Sequence, residues 1–146
     1  MTQEEKQLLL KDLCARLPYR VKINLNNGNE IWTLNGIFEG EHTGMMLILE
    51  QQFSSKNITP KTSNWSLSLC KPYFRPMSSM TEEEKVQLSQ YACIGEDLNG
   101  EFIDEVQRKD CAAYIDWLNK NHFDYRGLIE KGLAIEVTKE NNPYKG

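Results

Sequence analysis

Hydrophobic residues near the start of the chain recur at the spacing of one helix face. Positions i, i+3, i+4 and i+7 are occupied by Leu10, Leu13, Cys14 and Leu17. Thr2 is followed three residues later by Glu5, which is a capping-box pattern, and Pro18 has no backbone N–H for a continuing helix. The pattern predicts an amphipathic helix that begins after Thr2 and ends before Pro18.

From residue 21 the hydrophobic period changes to two, which is typical of a β-strand. Apolar side chains alternate with polar ones at Val21, Ile23 and Leu25. The following Asn27-Gly28 pair favours a tight hairpin turn into a second strand over residues 30–38. That strand is predicted to place on one side Trp32, Leu34 and Phe38. Gly36 lies within it, and an isolated glycine in a strand indicates a bulge or a sharp bend.

Two further strands are predicted over residues 45–49 and 65–70, where apolar residues cluster again. A loop over residues 40–44 and a long polar connection over residues 51–64 separate them. The next segment, residues 71–80, contains Pro72 and Pro76. Because proline favours extended backbone and removes a ladder donor, this segment is predicted to be a linker or a sheet edge.

Beyond residue 80 the chain has the patterns of three helices and a final strand. Thr81 and Glu84 form a second capping box, ahead of a helix predicted to reach about Cys93 and to break over residues 95–100. A third helix, ending near residues 119–121, is indicated by the stripe Cys111, Tyr114, Ile115 and Leu118. Asp124 is placed to cap a short fourth helix that Gly132 ends. The last strand is predicted from the alternation of Leu133, Ile135 and Val137.

These elements predict a single α+β domain over residues 1–146. Residues 1–75 are predicted to be mainly β with an N-terminal helix, and residues 76–146 mainly α. The strands fit a small curved antiparallel sheet or an SH3-like partial barrel, followed by a helical C-terminal half and a short last strand. A plain antiparallel sheet covered by helices fits the same pattern, so the pattern does not distinguish a closed sheet from an open one.

The composition is that of a chain that can bury its own core. It has 146 residues, of which 40% are hydrophobic and 26% charged, and no apolar stretch approaches the roughly 18 residues of a membrane span. The N-terminal segment lacks the basic start and cleavage site of a secretion signal, so we expect a cytoplasmic protein with no membrane partner. The cysteine spacing fits neither a metal knuckle nor a compact disulfide framework, and we expect buried thiols at Cys14, Cys70, Cys93 and Cys111.

Three segments carry a resemblance to a known family. They are LLLKDLCARLPY at 8–19, KPYFRPMSSMTEEE at 71–84 and HFDYRGLIEKGLA at 122–134, together somewhat over a quarter of the chain. The chain resembles a family of short uncharacterised proteins encoded by gut-anaerobe phages, prophages and other mobile elements. The resemblance implies a phage or mobile-element origin, and it carries over no activity, cofactor or catalytic residue. In the third segment, five residues are predicted to pack and to fix the last strand to the sheet, namely Phe123, Tyr125, Leu128, Ile129 and Leu133.

Candidate catalytic residues are few. The two histidines, His42 and His122, lie in no local nucleophile motif. His122 stands two residues from Asp124, which is a spacing that a metal or proton-transfer site can use, but no third ligand accompanies the pair. Cys111 and His122 would act as nucleophile and base only if the fold brought their side chains into contact. The glycines form no phosphate-binding loop. The sequence therefore predicts a protein that is not an enzyme and has no metal and no cofactor.

Charge is distributed unevenly along the chain. Residues 1–75 carry nine Lys and Arg against seven Asp and Glu, whereas residues 76–146 carry eight against fourteen. Cations and aromatic residues mix before the first strand and after the fourth, which is the combination that single-stranded nucleic-acid binders use. The candidate residues for such a surface are Arg16, Tyr19, Arg20, Lys22, Lys71, Tyr73, Phe74 and Arg75. Packing at the edge of the core and ordinary solvated lysines explain the same residues, and the net charge of −4 argues against this function.

A protein partner is the competing interpretation. The acidic second half could face a basic surface of a host or phage protein, and the candidate contact residues are Glu82, Glu83 and Glu84. Acidic character can equally serve solubility alone. The sequence favours a non-catalytic protein-binding module, with single-stranded nucleic-acid binding as the alternative.

Overall fold

The computed structural model describes residues 1–25, 30–51, 61–96, 102–106 and 111–145, and for residues 92–96, 102–106 and 111 it describes the backbone alone. Its α-helices are α1 (Gln3–Arg16), α2 (Glu82–Leu88) and α3 (Cys111–Lys120). Its strands are β1 (Lys22–Leu25), β2 (Ile31–Gly40), β3 (Gly44–Gln51), β4 (Lys61–Ser66), β5 (Cys70–Phe74), β6 (Ala92–Glu96), β7 (Phe102–Val106) and β8 (Ile135–Glu136).

Helix α1 begins as the sequence predicts. The Thr2 hydroxyl accepts a hydrogen bond from the Glu5 amide at 3.1 Å, and the Glu5 carboxylate accepts one from the Thr2 amide at 3.0 Å. The predicted buried face is wrong in part, because Cys14 is exposed while Asp12 and Arg16 are buried. These two charges pair with each other, and their pairing makes burial of that side of the helix possible.

The main sheet has the strand order β4-β3-β2-β1-β5-β8. Neighbouring strands are antiparallel except β5 and β8, which pair in parallel. Strands β4 and β8 lie at opposite ends of this order and do not pair with each other, so the sheet is open. The α+β class is confirmed with an N-terminal helix, a mixed six-stranded sheet and further helices, whereas an SH3-like closure is not confirmed.

The bulge predicted at Gly36 is confirmed. Leu34 pairs with Leu49, but the next paired residue is Gly36, opposite Ile48, so one residue is skipped. The skipped residue reverses the alternation of faces along the rest of β2. Phe38 is therefore 37% exposed on the outer side of the sheet. Its predicted place beside Trp32 and Leu34 is wrong, because the alternation of faces does not continue unchanged across the bulge.

The first part of the segment predicted to be a linker or a sheet edge is a strand, since β5 ends at Phe74. Pro72 is paired with Ile23 of β1, whereas the pairing of β5 with β8 begins at Tyr73. The extended conformation that proline favours is present, and Pro72 has no paired residue in β8. The strand predicted over residues 65–70 was also misplaced, since β4 ends at Ser66 and a 3₁₀ turn, Leu67–Leu69, leads into β5. Because β3 reaches Gln51 and β4 begins at Lys61, the connection between them is shorter than predicted.

The C-terminal half is helical only in part. Helix α3 agrees with the prediction, but α2 ends at Leu88 rather than near Cys93, and β6 and β7 form a separate antiparallel pair. Turns replace the predicted fourth helix. The Asp124 carboxylate does accept backbone amides as a cap would, from Leu128 at 2.8 Å and Ile129 at 2.9 Å.

The main core lies between the inner face of the sheet, α1 and residues 128–134. A second cluster joins Leu88, Leu118 and Phe123, and the complete burial of Phe123 agrees with its predicted packing role. Cys70 is a buried free thiol as expected, whereas the side chains of Cys93 and Cys111 lie outside the described residues. Among the described residues, no helix has both the length and the apolar character needed to cross a bilayer.

Candidate functional site

The structure does not bring the predicted nucleic-acid residues together on one surface. Arg16 and Phe74 are completely buried, and Tyr73 is 5% exposed. Buried rings and a buried guanidinium cannot stack on bases or neutralise phosphates in solvent. An exposed patch built from these three residues is therefore wrong.

Arg16 instead forms the centre of an internal ion network. Its Nε lies 2.8 Å from the Asp12 carboxylate, and one of its amino groups donates a hydrogen bond to the Phe123 carbonyl oxygen. Its guanidinium carbon is 4.0 Å from the centre of the Phe74 ring and 5.1 Å from that of Tyr125. A second cation, Arg126, places Nε 3.1 Å from Asp12. The network ties α1 to the segment after α3 and leaves Arg16 no contact with solvent.

Arg75 is also occupied within the fold. Both of its terminal amino groups donate to Glu84, each at 2.7 Å, in a two-pronged ion pair. These bonds and the α2 capping box lower the pKa of Glu84 to about 2. The Arg75 guanidinium also lies over the Phe123 ring at 4.2 Å. Arg75 and Glu84 therefore join β5 to α2, and neither is free to bind a partner in the way the sequence predicted.

The other predicted residues are scattered. Arg20 is exposed with its nearest carboxylate, Glu50, at 3.9 Å, and Lys22 donates to the Thr33 hydroxyl at 2.8 Å. Tyr19 and Lys71 are half-buried. Of the acidic set, Glu82 pairs with Lys85 at 3.0 Å, and Glu83 is exposed. Only Glu82 and Glu83 remain of the proposed acidic docking surface.

A cleft that the sequence did not indicate lies at the C-terminal end of the fold. It encloses about 940 Å³ between the turn before α2, the end of α3 and residues 136–145. We call it the lysine cleft, because its rim carries the exposed residues Lys120, Lys139 and Lys145. Within the described part of the chain, none of these three lysines has a carboxylate within 4.0 Å. Hydrogen-bonding side chains that also line it include Ser79, Asn121, Thr138 and Asn142.

Two stacked rings form one wall of the lysine cleft. The His122 and Tyr144 ring centres are 3.7 Å apart with 12° between the planes. The Tyr144 hydroxyl accepts a hydrogen bond from the Lys22 amide at 3.1 Å and donates one to the Tyr73 carbonyl at 2.7 Å. Lys22 and Tyr73 are the next positions in the β1 and β5 register, so this hydroxyl is inserted where the ladder would otherwise continue. Tyr144 thereby fixes the C-terminal segment against the sheet.

His122 is held in a neutral form by its surroundings. Burial, together with Arg16, Arg75 and Lys22, lowers its pKa to about 4. Its backbone is left-handed, with φ of 64°, which is uncommon for a residue other than glycine. Its Nδ1 is buried and has no hydrogen-bond partner among the described residues. The imidazole is thus a packed wall of the cleft.

Of the catalytic combinations that the sequence offers, the pair of Cys111 and His122 lies outside the described residues, because the Cys111 side chain is not described. In the other pair, both oxygens of Asp124 accept amides from the turn that follows it. The Ser79 hydroxyl, which lines the cleft, donates to the Pro76 carbonyl at 2.7 Å. No three metal-binding side chains cluster within the residues the structure describes. The cleft offers three exposed lysines, the exposed carboxylate of Glu136 and hydrogen-bonding groups.

Comparison with known proteins adds no relative from which a function could be taken. No family model, no curated protein and no solved structure matches this chain. Tyr144, Lys139 and Lys145 lie in a polar C-terminal segment without hydrophobic periodicity, so no sequence pattern indicated them.

Proposed function

We propose that this protein is a non-catalytic binding module that holds an acidic segment of a partner protein in the lysine cleft. The proposal includes the origin and setting that the sequence implied, a phage or mobile-element protein acting in the cytoplasm on a host or phage partner. One observation carries it: three exposed lysines face a single cleft and lack carboxylate partners within the described residues.

Charge and hydrogen bonding both favour a polypeptide as the occupant. Lysine ammonium groups attract carboxylates. The side chains of Asn121, Thr138 and Asn142 each make one hydrogen bond within the described part of the fold, and their further donors and acceptors match those of an extended backbone. Because exposed ion pairs contribute only about 0.2–1 kcal/mol each, three lysines alone give modest affinity and a strong dependence on salt. This is the behaviour of a reversible interaction with a partner.

The acidic first turn of α2 is a weaker site than the sequence indicated. Glu84 already binds Arg75, and Glu82 pairs with Lys85, so among the described residues Glu83 is the glutamate of this turn without an ion pair. The lysine cleft, rather than α2, is therefore the proposed contact. The class of function, protein binding without catalysis, is unchanged.

The test is a charge reversal with a matched control. Fluorescence anisotropy would measure binding of a labelled hexaglutamate peptide and of a hexaglutamine peptide at low and moderate salt. The double variant Lys139→Glu/Lys145→Glu should abolish hexaglutamate binding. The control Lys11→Glu/Lys131→Glu makes the same change in net charge at exposed positions outside the cleft and should keep most of it.

Two results would overturn the proposal. Equal loss in both double variants would mean that net charge, not the cleft, governs binding. Tighter, lysine-dependent binding of a single-stranded oligonucleotide than of the acidic peptide would favour the nucleic-acid alternative, with its steep fall of affinity as salt rises.

A further inference from the structure

A second cleft of opposite character adjoins the lysine cleft. It encloses about 510 Å³, and we call it the acidic cleft, because its rim carries the exposed carboxylates of Glu130 and Glu136. No Lys or Arg is among the described residues that line it. Asp124 also lines it, but its two oxygens already accept backbone amides. Because Glu136 lines both clefts, Glu130 is the exposed carboxylate that belongs to the acidic cleft alone.

The two clefts adjoin each other, because three residues line both of them, namely Pro76, Ser78 and Glu136. A single chain segment can therefore contact both clefts.

The acidic cleft also offers an exposed aliphatic side chain that does not line the lysine cleft, that of Met77. Met77 is 39% exposed, and Ile129 and the Tyr125 ring are half-buried beside it. An exposed methionine between apolar neighbours suits an aliphatic side chain of a partner, since its thioether adapts to different shapes. A lysine next to that aliphatic residue would place its ammonium near Glu130 or Glu136.

We infer that the partner segment is bipolar: an acidic stretch lies in the lysine cleft, and a basic stretch with an aliphatic side chain lies in the acidic cleft. This inference rests on the proposed function and specifies the partner. Exposed residues of opposite charge carry it: Lys120, Lys139 and Lys145 line only the lysine cleft, and Glu130 lines only the acidic cleft. Charge order along the segment, rather than its net charge, then decides binding, because a reversed or mixed order places like charges together.

The experiment compares labelled synthetic peptides by fluorescence anisotropy. The bipolar peptide joins four glutamates through Gly-Ser to Lys-Leu-Lys-Leu. A shuffled peptide has the same composition with glutamate and lysine alternating, and a third peptide contains the four glutamates alone. The bipolar peptide should bind about tenfold or more tightly than either of the others, and the order of preference should persist at moderate salt.

Variants assign the two halves to the two clefts. The double variant Met77→Ser/Glu130→Lys should lower the affinity for the bipolar peptide to the affinity for the glutamate-only peptide. It should not lower the affinity for the glutamate-only peptide. Glu83→Lys/Val86→Ser is the matched control, because both residues are exposed on α2 and neither lines a cleft. Circular dichroism and thermal melting would establish that each variant is folded.

The outcomes separate the two proposals. If the glutamate-only peptide binds as tightly as the bipolar peptide, the inference of a bipolar partner segment is overturned, and the proposed function is not. Equal binding of the bipolar and shuffled peptides also overturns it. Absence of binding by every peptide overturns both proposals.

Discussion

Replacing Arg16 by methionine should destabilise the fold severely, although a charged residue on an N-terminal helix is ordinarily exposed. The guanidinium is completely buried, pairs with Asp12 and donates to the Phe123 carbonyl. It also lies 4.0 Å from the centre of the Phe74 ring. Methionine has a similar length and no charge, so the change removes the interactions while retaining most of the volume.

The loss in the free energy of unfolding is estimated from the Asp12 carboxylate, which stays buried in the variant. Loss of Arg16 leaves the buried Asp12 carboxylate with one cation, Arg126, at 3.1 Å. Breaking a buried pair by removing one partner costs about 3–5 kcal/mol. Because Arg126 retains part of the compensation, we expect a loss of about 3 kcal/mol. This is a large share of the roughly 5–15 kcal/mol that stabilises an ordinary domain.

Urea denaturation followed by circular dichroism at neutral pH would measure the loss. A double-mutant cycle with Asp12→Asn tests the pairing itself, since the double variant leaves no unpaired carboxylate. We expect the double variant to lose less than the sum of the single losses, by about 1–3 kcal/mol. Arg20→Met is the matched control on an exposed arginine and should change stability by no more than about 0.5 kcal/mol.

A loss below about 1 kcal/mol for Arg16→Met, or strict additivity in the cycle, would refute the buried network. It would also restore Arg16 as a candidate surface cation. If the network is correct, reversing Arg16 together with Arg20, Lys71 and Arg75 unfolds the protein instead of testing a nucleic-acid surface, so such an experiment has to spare the buried Arg16 and the paired Arg75.

Three further predictions concern the C-terminal region. An unfolded histidine takes up its proton near pH 6.5 but folded His122 only near pH 4, so stability should fall as pH drops through that interval, by on the order of 2 kcal/mol. In denaturation at several pH values, His122→Asn should flatten this fall and exposed His42→Asn should not; equal curves would contradict the buried neutral imidazole. Tyr144→Phe removes the hydroxyl between the Lys22 amide and the Tyr73 carbonyl and should cost about 1–2 kcal/mol in urea denaturation, whereas an unchanged midpoint would exclude that bridge. Phe123→Ala should cost about 3 kcal/mol or more and lower the melting temperature clearly, and a variant that melts like the original chain would place the ring outside the core.

The sequence alone determined those features that depend on neighbours a few residues away. Both capping boxes, with Thr2 and Thr81, form because their partners lie three residues along the same chain. Gly36 indicated the bulge because an isolated glycine weakens regular strand pairing, and β2 does skip one residue between Leu34 and Gly36. Period-two alternation identified the first strands, and period 3.6 identified α1 and α3, because local backbone geometry fixes which residues share a face.

Only the tertiary structure decided which of these faces are buried and what the charges do. The periodicity of α1 could not place Arg16 inside, because its compensation comes from the Phe123 carbonyl and the Phe74 ring, far along the chain. Pro72 favours extended backbone, but its pairing with Ile23, and the pairing of β5 with β8 from Tyr73 onward, depend on strands that lie far along the chain. The two clefts likewise exist only because the turn after β5, the end of α3 and the C-terminal segment meet. Desolvation and long-range pairing depend on contacts between residues that lie far apart in the sequence. For this reason Arg16, predicted to be a surface cation, is a core residue.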